Sequence, residues 1–244
     1  MFSKLVQKLR GQPAFPLPAS ERPLAVIGDV HGCLHLLQEL LQKLPPDAQV
    51  VLVGDYIDRG EDSQGVLRFL SKHPDLICLR GNHEDMLLNF LADPLRHGSR
   101  WLQYGGLQTL ASFNIAGVQP NPSPEALENY RDALVLEMGV DLIKFLNELL
   151  PCYQSGNVLV AHAGANPAAP PEYQTPSDLI WGHPEFHKTP RKDGIWVAYG
   201  HVIQDRPNTS RGRIALDTGA YATGRLTAAY FRPEAEPLFI STNT

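Results

Sequence analysis

Six side chains set far apart along the chain, Asp29, His31, Asp55, Asn82, His162 and His201, share one local setting: each stands just beyond a short apolar run. Two carboxylates, an amide oxygen and three imidazoles form a hard-to-borderline donor set without sulfur. Such a set suits manganese, iron or zinc better than calcium, which takes oxygen ligands alone. Asp55 is the carboxylate favoured to bridge two ions. Two divalent ions set against two carboxylates leave a charge of about +2, which a phosphate ester dianion neutralises, and ions about 3.5–4 Å apart would clamp the attacking and phosphoryl oxygens. Magnitudes favour metal chemistry. Unaided phosphate-monoester hydrolysis is so slow that enzymes supply up to ~10²¹-fold, or roughly 28 kcal/mol. A general acid contributes only about 10²–10⁴, or roughly 3–5 kcal/mol. Lowering the pKa of a bound water from ~15.7 towards ~7 changes its ionisation by roughly 12 kcal/mol.

Short elements must bring these residues together. Apolar runs at 24–27, 50–53 and 76–79 predict strands. They enter the segments Gly28-Asp29-Val30-His31-Gly32, Gly54-Asp55-Tyr56-Ile57-Asp58-Arg59-Gly60 and Arg80-Gly81-Asn82-His83-Glu84. The Gly-polar pairs begin at 28, 54 and 81, spacings of 26 and 27 residues. Between them, 34–44 and 63–71 carry apolar residues on a helical period. Strand–helix–strand units of this length give parallel neighbours. Runs at 158–161 and 195–199 end in His162-Ala163-Gly164 and Gly200-His201. Strand C-termini of an open α/β sheet gather at one edge, where ligands bind, so five strand ends can converge all six side chains. About 85–150 reads as a helical insertion, with helices at 86–91, 107–113, 124–138 and 141–150 and Ser123 as an N-cap. Alternation at 213–216, 226–231 and 238–240 predicts further, antiparallel strands. The proline-rich stretch 166–194 reads as a long surface connection, a kind that is often functional.

The three blocks, in this order and spacing and followed by His162 and Gly200-His201, resemble the signature of the phosphoprotein phosphatase family, bacterial serine/threonine phosphatases included. The resemblance spans about residues 22–232. It implies the α/β calcineurin-like metallophosphoesterase fold: a two-sheet β-sandwich flanked by helices in four layers, here with a helical insertion. Two divalent metal ions are implied as cofactors, manganese first, with iron or zinc as alternatives. Carried over, Asp29, His31 and Asp55 would hold one ion, and Asp55, Asn82, His162 and His201 the other. A hydroxide bridging both would attack phosphorus directly, without a phosphoenzyme. His83 would protonate the leaving alkoxide, Asp58 would orient His83, and Arg59 would grip phosphate oxygens, with Asn82 beside them. One position departs from the pattern. In Leu179-Ile180-Trp181-Gly182-His183-Pro184-Glu185-Phe186, His183 stands where the resemblance implies a phosphate-gripping arginine; His183, Arg191 and Arg206 are the candidates to replace it. The implied substrates are phosphoserine and phosphothreonine in proteins or peptides, with phosphotyrosine and small phosphate esters tolerated. The nearest rival is a symmetrical bis(5'-nucleosyl)-tetraphosphatase, whose second block typically lacks the counterpart of Asp58. A phosphopeptide-binding module with little turnover is a further alternative, disfavoured because a pure binder needs no His83.

Other polar features carry plainer readings. Asp217-Thr218-Gly219 is taken as a structural turn beside the site, Asp205-Arg206 as a loop ion pair, and Cys33 as the start of a packed helix. His35, His73, His97 and His187 are taken as surface residues. Of 244 residues, 43% are hydrophobic and 19% charged, an ordinary globular composition that excludes disordered, collagenous and disulfide-stapled classes. Lys and Arg number 21 against 26 Asp and Glu, a formal net charge of −5, so no global basic field invites nucleic acid. Three scattered cysteines, Cys33, Cys78 and Cys152, form neither a disulfide framework nor a thiolate zinc site. No apolar run approaches the ~18 residues of a membrane span, and a reducing cytoplasm is the simplest home. Phe2, Leu5, Val6 and Leu9 form one stripe of a short basic helix over 1–10, expected to dock on its own domain rather than on a membrane surface. It lacks the features of a secretory signal. Residues 12–18 read as an extended linker, so 1–21 is expected to precede a metallophosphoesterase domain over 22–244.

Overall fold

The computed structural model describes residues 15–232 and 235–242; the helix expected over 1–10 lies outside the described residues. In chain order, β1 (Leu24–Ile27), α1 (Leu34–Lys43), β2 (Gln49–Leu52), α2 (Ser63–Leu70) and β3 (Ile77–Cys78) form the expected alternation. The insertion follows as α3 (Asn82–Ala92), α4 (Pro94–Trp101), a π-turn over Leu102–Gly106, α5 (Leu107–Ser112) and α6 (Pro124–Glu148). Next come β4 (Cys152–Ser155), β5 (Val158–Ala161), α7 (Pro176–Trp181), β6 (Trp196–Tyr199), β7 (Asn208–Ser210) and β8 (Arg213–Ala215). A short α8 (Ala220–Thr223) leads to β9 (Thr227–Phe231) and β10 (Leu238–Ser241).

Two five-stranded sheets result, ordered β10-β9-β1-β2-β3 and β4-β5-β6-β8-β7. β1, β2 and β3 are parallel, as are β5, β6 and β8. The central strands are continuous apolar runs because both of their faces are covered. Val26, Val51 and Val53 of the first sheet meet Val160, Ala198 and Ile214 of the second in a core between the sheets. On the outer face of the first sheet, Ala25, Ile27 and Leu52 pack with Leu37, Leu40 and Leu67 of α1 and α2. Leu159, Val197 and Ala215 pack with Leu179 and Phe186 outside the second. The four-layer sandwich implied by the resemblance is the fold observed.

Several elements differ from expectation. β8 runs parallel to β6, not antiparallel. The edge strand β7 intervenes and pairs antiparallel with β8, so the chain reverses twice and returns in its original direction. β9 and β10 are antiparallel as read. The helices at 124–138 and 141–150 are the two halves of α6, separated at Gly139 (φ 68, ψ 175), a backbone conformation open essentially to glycine alone. Ser123 caps the first, its Oγ accepting from Ala126 N at 3.2 Å. Helix α4 went unread because its buried positions are Pro94, Gly98 and Trp101, two of which carry no weight in an apolar period. At Gly98 a Cβ would stand 2.6 Å from the Leu127 side chain, so a small residue marks this helix contact. The described start of the chain lies along the second sheet, with Phe15 edge-on to Trp196 at 5.3 Å and Pro16 O accepting from Trp196 Nε1 at 2.8 Å. No described helix is long and apolar enough to cross a membrane.

Candidate metal centre

The loops that leave β1, β2, β3, β5 and β6 meet at one edge of the sandwich, and their backbones lock together before any side chain is considered. Val30 N and His31 N both donate to Asp55 O, at 3.1 and 2.8 Å, and Gly32 N donates to Tyr56 O at 2.8 Å. Glu84, buried at the start of α3, ties the second and third blocks. Its Oε2 accepts from Asp55 N and Gly81 N, both at 2.9 Å, and Oε1 accepts from Tyr56 N at 2.7 Å. Burial and the neighbouring Asp55 push the Glu84 carboxyl up to about 7. Among the described non-glycine residues, seven have left-handed φ, and five of them, His31, Asp55, Asp58, Arg59 and His201, lie in these loops. Backbone strain is thus concentrated where side chains must be aimed.

Asp55 is the hub. Its Oδ2 lies 3.6 Å from His31 Nε2 and 3.9 Å from His83 Nε2, and its Oδ1 lies 3.4 Å from His162 Nε2. Two groups of possible ligand atoms, each within a 4.8 Å span, share this residue: His31, Asp55 and His83, and Asp55, His162 and His201. Asn82 Oδ1 joins the second at 2.9 Å from His162 Nε2 and 2.8 Å from His201 Nδ1. Asp29 accepts the backbone N–H of His201 with both oxygens, at 3.2 and 3.0 Å. All six expected residues therefore meet, with Asp29 at the margin of the two groups and His83 inside one of them.

Electrostatics fit cations. Asp29, Asp55 and Asp217 are each at most 2% exposed. Burial, with Asp217 and Asp55 as neighbours, drives the Asp29 carboxyl well above the usual range. Burial likewise raises Asp217 to about 6. Its Oδ1 makes the expected turn by accepting from Gly219 N at 2.8 Å, while Oδ2 is buried without a partner. Carboxylates crowded out of water are tolerated only with compensating positive charge. The imidazoles do not supply it: burial lowers His31 to about 3 and His162 to about 4, so both offer lone pairs near neutral pH. His31 Nδ1 lies 2.7 Å from Ile57 O, which assigns the proton to Nδ1 and leaves Nε2 bare towards the centre. This donor set fits the two divalent ions expected from the sequence.

A second constellation adjoins the first. His83 Nδ1 bonds Asp58 Oδ2 at 2.7 Å, and His83 Nε2 is buried without a partner. Burial alone would depress this imidazole, yet the Asp55 and Asp58 carboxylates outweigh it and hold the pKa above its ordinary value. Asp58, fully buried, also accepts from Thr109 Oγ1 at 2.6 Å and from Trp101 Nε1 at 3.0 Å. The same Thr109 hydroxyl accepts from Asp58 N at 3.0 Å. Sequence reading missed Trp101 and Thr109. Both come from the insertion, from either side of the π-turn, where Gly105 (φ 116) lets its carbonyl accept from Arg59 N at 3.4 Å. A π-turn inside a helical run was the structural mark of a site, but no pattern of residue types announced it.

Arg59 Nη1 reaches His31 Nε2 at 3.2 Å, and its guanidinium carbon sits 5.4 Å from the centre of the Tyr221 ring. Tyr221, also unread, stands edge-on to His31 at 5.4 Å. These side chains, with Tyr104 and His201, border a hollow of about 670 Å³. His183 forms no hydrogen bond or ion pair with the six residues or with Arg59 among the described residues; its Nδ1 accepts from Glu185 N at 3.1 Å. Arg191 is committed to Asp193 and to the carbonyls of Asn166 and Ala169, and Arg206 is exposed. Asp205 and Arg206 form no ion pair among the described residues; the Asp205 carbonyl instead accepts from Arg225. The three cysteines are free.

Comparison with known proteins agrees with this geometry. Residues 22–213 match the family described as calcineurin-like phosphoesterase. The chain is 41% identical over 220 residues to serine/threonine-protein phosphatase 1 of Salmonella typhimurium, covering 85% of this chain and 91% of that one. It is 30% identical over 247 residues to the asymmetrical bis(5'-nucleosyl)-tetraphosphatase PrpE of Oceanobacillus iheyensis, covering 86% and 89%. The crystal structure of a cold-active protein-tyrosine phosphatase of a psychrophile Shewanella superposes with a TM-score of 0.59 at 18% identity, covering 95% of this chain and 83% of that one.

Thr109→Val removes a hydroxyl that both donates to and accepts from Asp58 without altering side-chain shape. Urea denaturation is expected to show a loss of about 1–3 kcal/mol, the cost of leaving a buried partner unsatisfied. An unchanged midpoint would mean that the Thr109 hydroxyl does not hold Asp58.

Proposed function

We propose that the chain, which belongs to the calcineurin-like phosphoesterase family, hydrolyses phosphate monoesters on serine and threonine side chains of proteins. The observation that carries this reading is the buried Asp58–His83 pair lying beside the shared carboxylate Asp55. In this proposal Asp29, His31 and Asp55 hold one divalent ion, and Asp55, Asn82, His162 and His201 the second, with manganese favoured over iron or zinc. Bound there, such ions supply Lewis acidity and a nucleophile at neutral pH.

The remaining work falls to side chains of this protein. Arg59 carries no carboxylate partner among the described residues, so its fork of donors is available to phosphate oxygens. Asn82, whose oxygen faces His162 and His201, has its amide nitrogen left for a phosphate oxygen. His83 gives up a proton at Nε2 to the departing alkoxide. Asp58 holds Nδ1 and stabilises the imidazolium, and Trp101 and Thr109 fix Asp58 in turn. The described contacts of His183 give it no part in this scheme.

The similarity to an asymmetrical tetraphosphatase supports a second reading, cleavage of dinucleoside polyphosphates. Against it, the hollow at the centre is bordered by tyrosine, glutamine, histidine and aliphatic side chains with Arg59 as its one guanidinium, and Arg211 and Arg213 lie beyond Val202. A polyphosphate spreads negative charge along its whole length and calls for several cations. An aryl or aliphatic leaving group does not, which also accommodates phosphotyrosine and small aryl phosphates.

Three measurements test the proposal. With manganese, a phosphothreonine peptide is expected to be turned over with higher kcat/KM than diadenosine tetraphosphate; the reverse order selects the second reading. Asp55→Asn is expected to abolish nearly all turnover of para-nitrophenyl phosphate and to lower bound metal, whereas Cys33→Ser leaves both near wild type. Equal losses would remove the bridging role. His83→Asn is expected to keep its metal content while slowing turnover at least about tenfold, a conservative bound on the ~10²–10⁴ that general acid catalysis supplies. Metal loss in that variant would make His83 a ligand instead.

A further inference from the structure

A second hollow, of about 460 Å³, opens on the outer face of the second sheet, lined by Tyr199, Gln204, Asn208, Arg211 and Arg213 together with His187 and Val202. Val202 also borders the hollow at the metal centre, so the two meet at one residue. No carboxylate lines it. Arg213 is only 8% exposed, and its partners among the described residues are the carbonyl and the ring of Phe186. It has no acidic partner there. Burial and the charge of Arg211 together pull this guanidinium below its usual value. A buried cation facing a second cation and a set of neutral donors is the environment of an anion.

The turn that presents Arg211 carries independent weight. Ser210 pairs with Arg213 across a two-residue hairpin turn whose central residues, Arg211 and Gly212, have φ of 51° and 76°. Such a turn favours asparagine or aspartate followed by glycine. Arginine at the left-handed position is strained, and the packing of the turn, Gly212 against the Phe15 ring, takes nothing from the exposed Arg211 side chain. Its side chain is exposed and makes no hydrogen bond or ion pair among the described residues.

Resting on the protein phosphatase reading above, we infer that Arg211 and Arg213 form a subsite for a second anionic side chain, glutamate, aspartate or phosphoserine, of the same peptide substrate. Register sets the separation. Arg213 pairs with Val197, and Val197 lies four residues before the metal-centre residue His201. At ~3.3 Å per residue this is at most roughly 13 Å, an upper limit because the strand ends at Tyr199 and His201 is left-handed. An extended peptide with its phosphorylated residue at the centre would therefore place a side chain about four positions away over Arg211 and Arg213.

The test uses the full-length protein with manganese and three phosphothreonine peptides of equal length. One is neutral, one carries paired glutamates four residues before the phosphothreonine, and one carries them four residues after it. At low salt, one acidic peptide is expected to exceed the neutral peptide in kcat/KM by about fivefold, as suits a charge-assisted contact near the surface. In Arg211→Asn the acidic-to-neutral ratio is expected to fall towards one, while thermal stability holds or rises because asparagine suits the turn. Equal rates for all three peptides in the wild type would overturn the subsite and leave the phosphatase reading intact. A ratio that survives Arg211→Asn would also overturn it. Hydrolysis of none of the peptides, with diadenosine tetraphosphate consumed, would remove both.

Discussion

Three carboxylates that water scarcely reaches are gathered at one edge of this sandwich, and the rest of the architecture follows from the need to make that tolerable. Asp29, Asp55 and Asp217 repel one another in a medium that screens poorly, and the desolvation of each adds to the penalty. Arg59 is the nearest permanent cation, and a single guanidinium cannot balance three carboxylates. His31 and His162 are held neutral by burial and contribute lone pairs instead of charge. A cluster so composed is unfavourable by itself and becomes favourable with multivalent cations in its midst. The geometry divides the donors into two groups that share Asp55, which is what two ions would require.

Holding such a cluster demands a rigid frame, and the frame is built of backbone. Parallel strands deliver their C-termini to one edge, and the loops beyond them hydrogen-bond to one another rather than to solvent. Glu84 is central to this. One carboxylate satisfies three N–H groups drawn from two loops, including that of Asp55 itself, so the hub cannot shift without breaking the join between blocks. Left-handed residues at His31, Asp55, Asp58, Arg59 and His201 carry strain. The two buried cores that flank each sheet supply the cohesion to hold it.

Much of this could be read in the residues alone. Six residues of three ligand types each followed an apolar run, and repeated spacing indicated which strands lie parallel, so convergence at a strand edge was a matter of topology. What escaped was determined by contacts with no local signature. Trp101 and Thr109 bond to Asp58 from 43 and 51 positions away, across a π-turn whose course depends on Gly105 approaching the Arg59 backbone. Alternation in 213–216 identified a strand but carried no information on its direction, which the hairpin through β7 decides. Tyr221 follows a turn motif and has nothing about it to suggest a place beside Arg59. Glu84 stood in a quoted block, yet its task, accepting three backbone protons, is visible only once the loops are folded.

The insertion illustrates why these unreadable contacts matter for chemistry. It begins in the third block, since α3 opens with Asn82 and His83, so the segment that carries a residue of the centre and the proposed proton donor is also the root of the insertion. Its later helices return to clamp Asp58, the partner of that same donor, and its π-turn supplies Tyr104 beside the hollow. The placement of the His83 ring and the shape of the hollow beside it are therefore set by one body. A change in packing along α4 or α5 would alter both together. Under the proposed reaction, specificity and proton delivery would be coupled through the insertion. The loop after β6 borders the same hollow through Val202 and Ile203 and also carries His201 of the metal centre, so it too joins the wall of the hollow to the donor cluster.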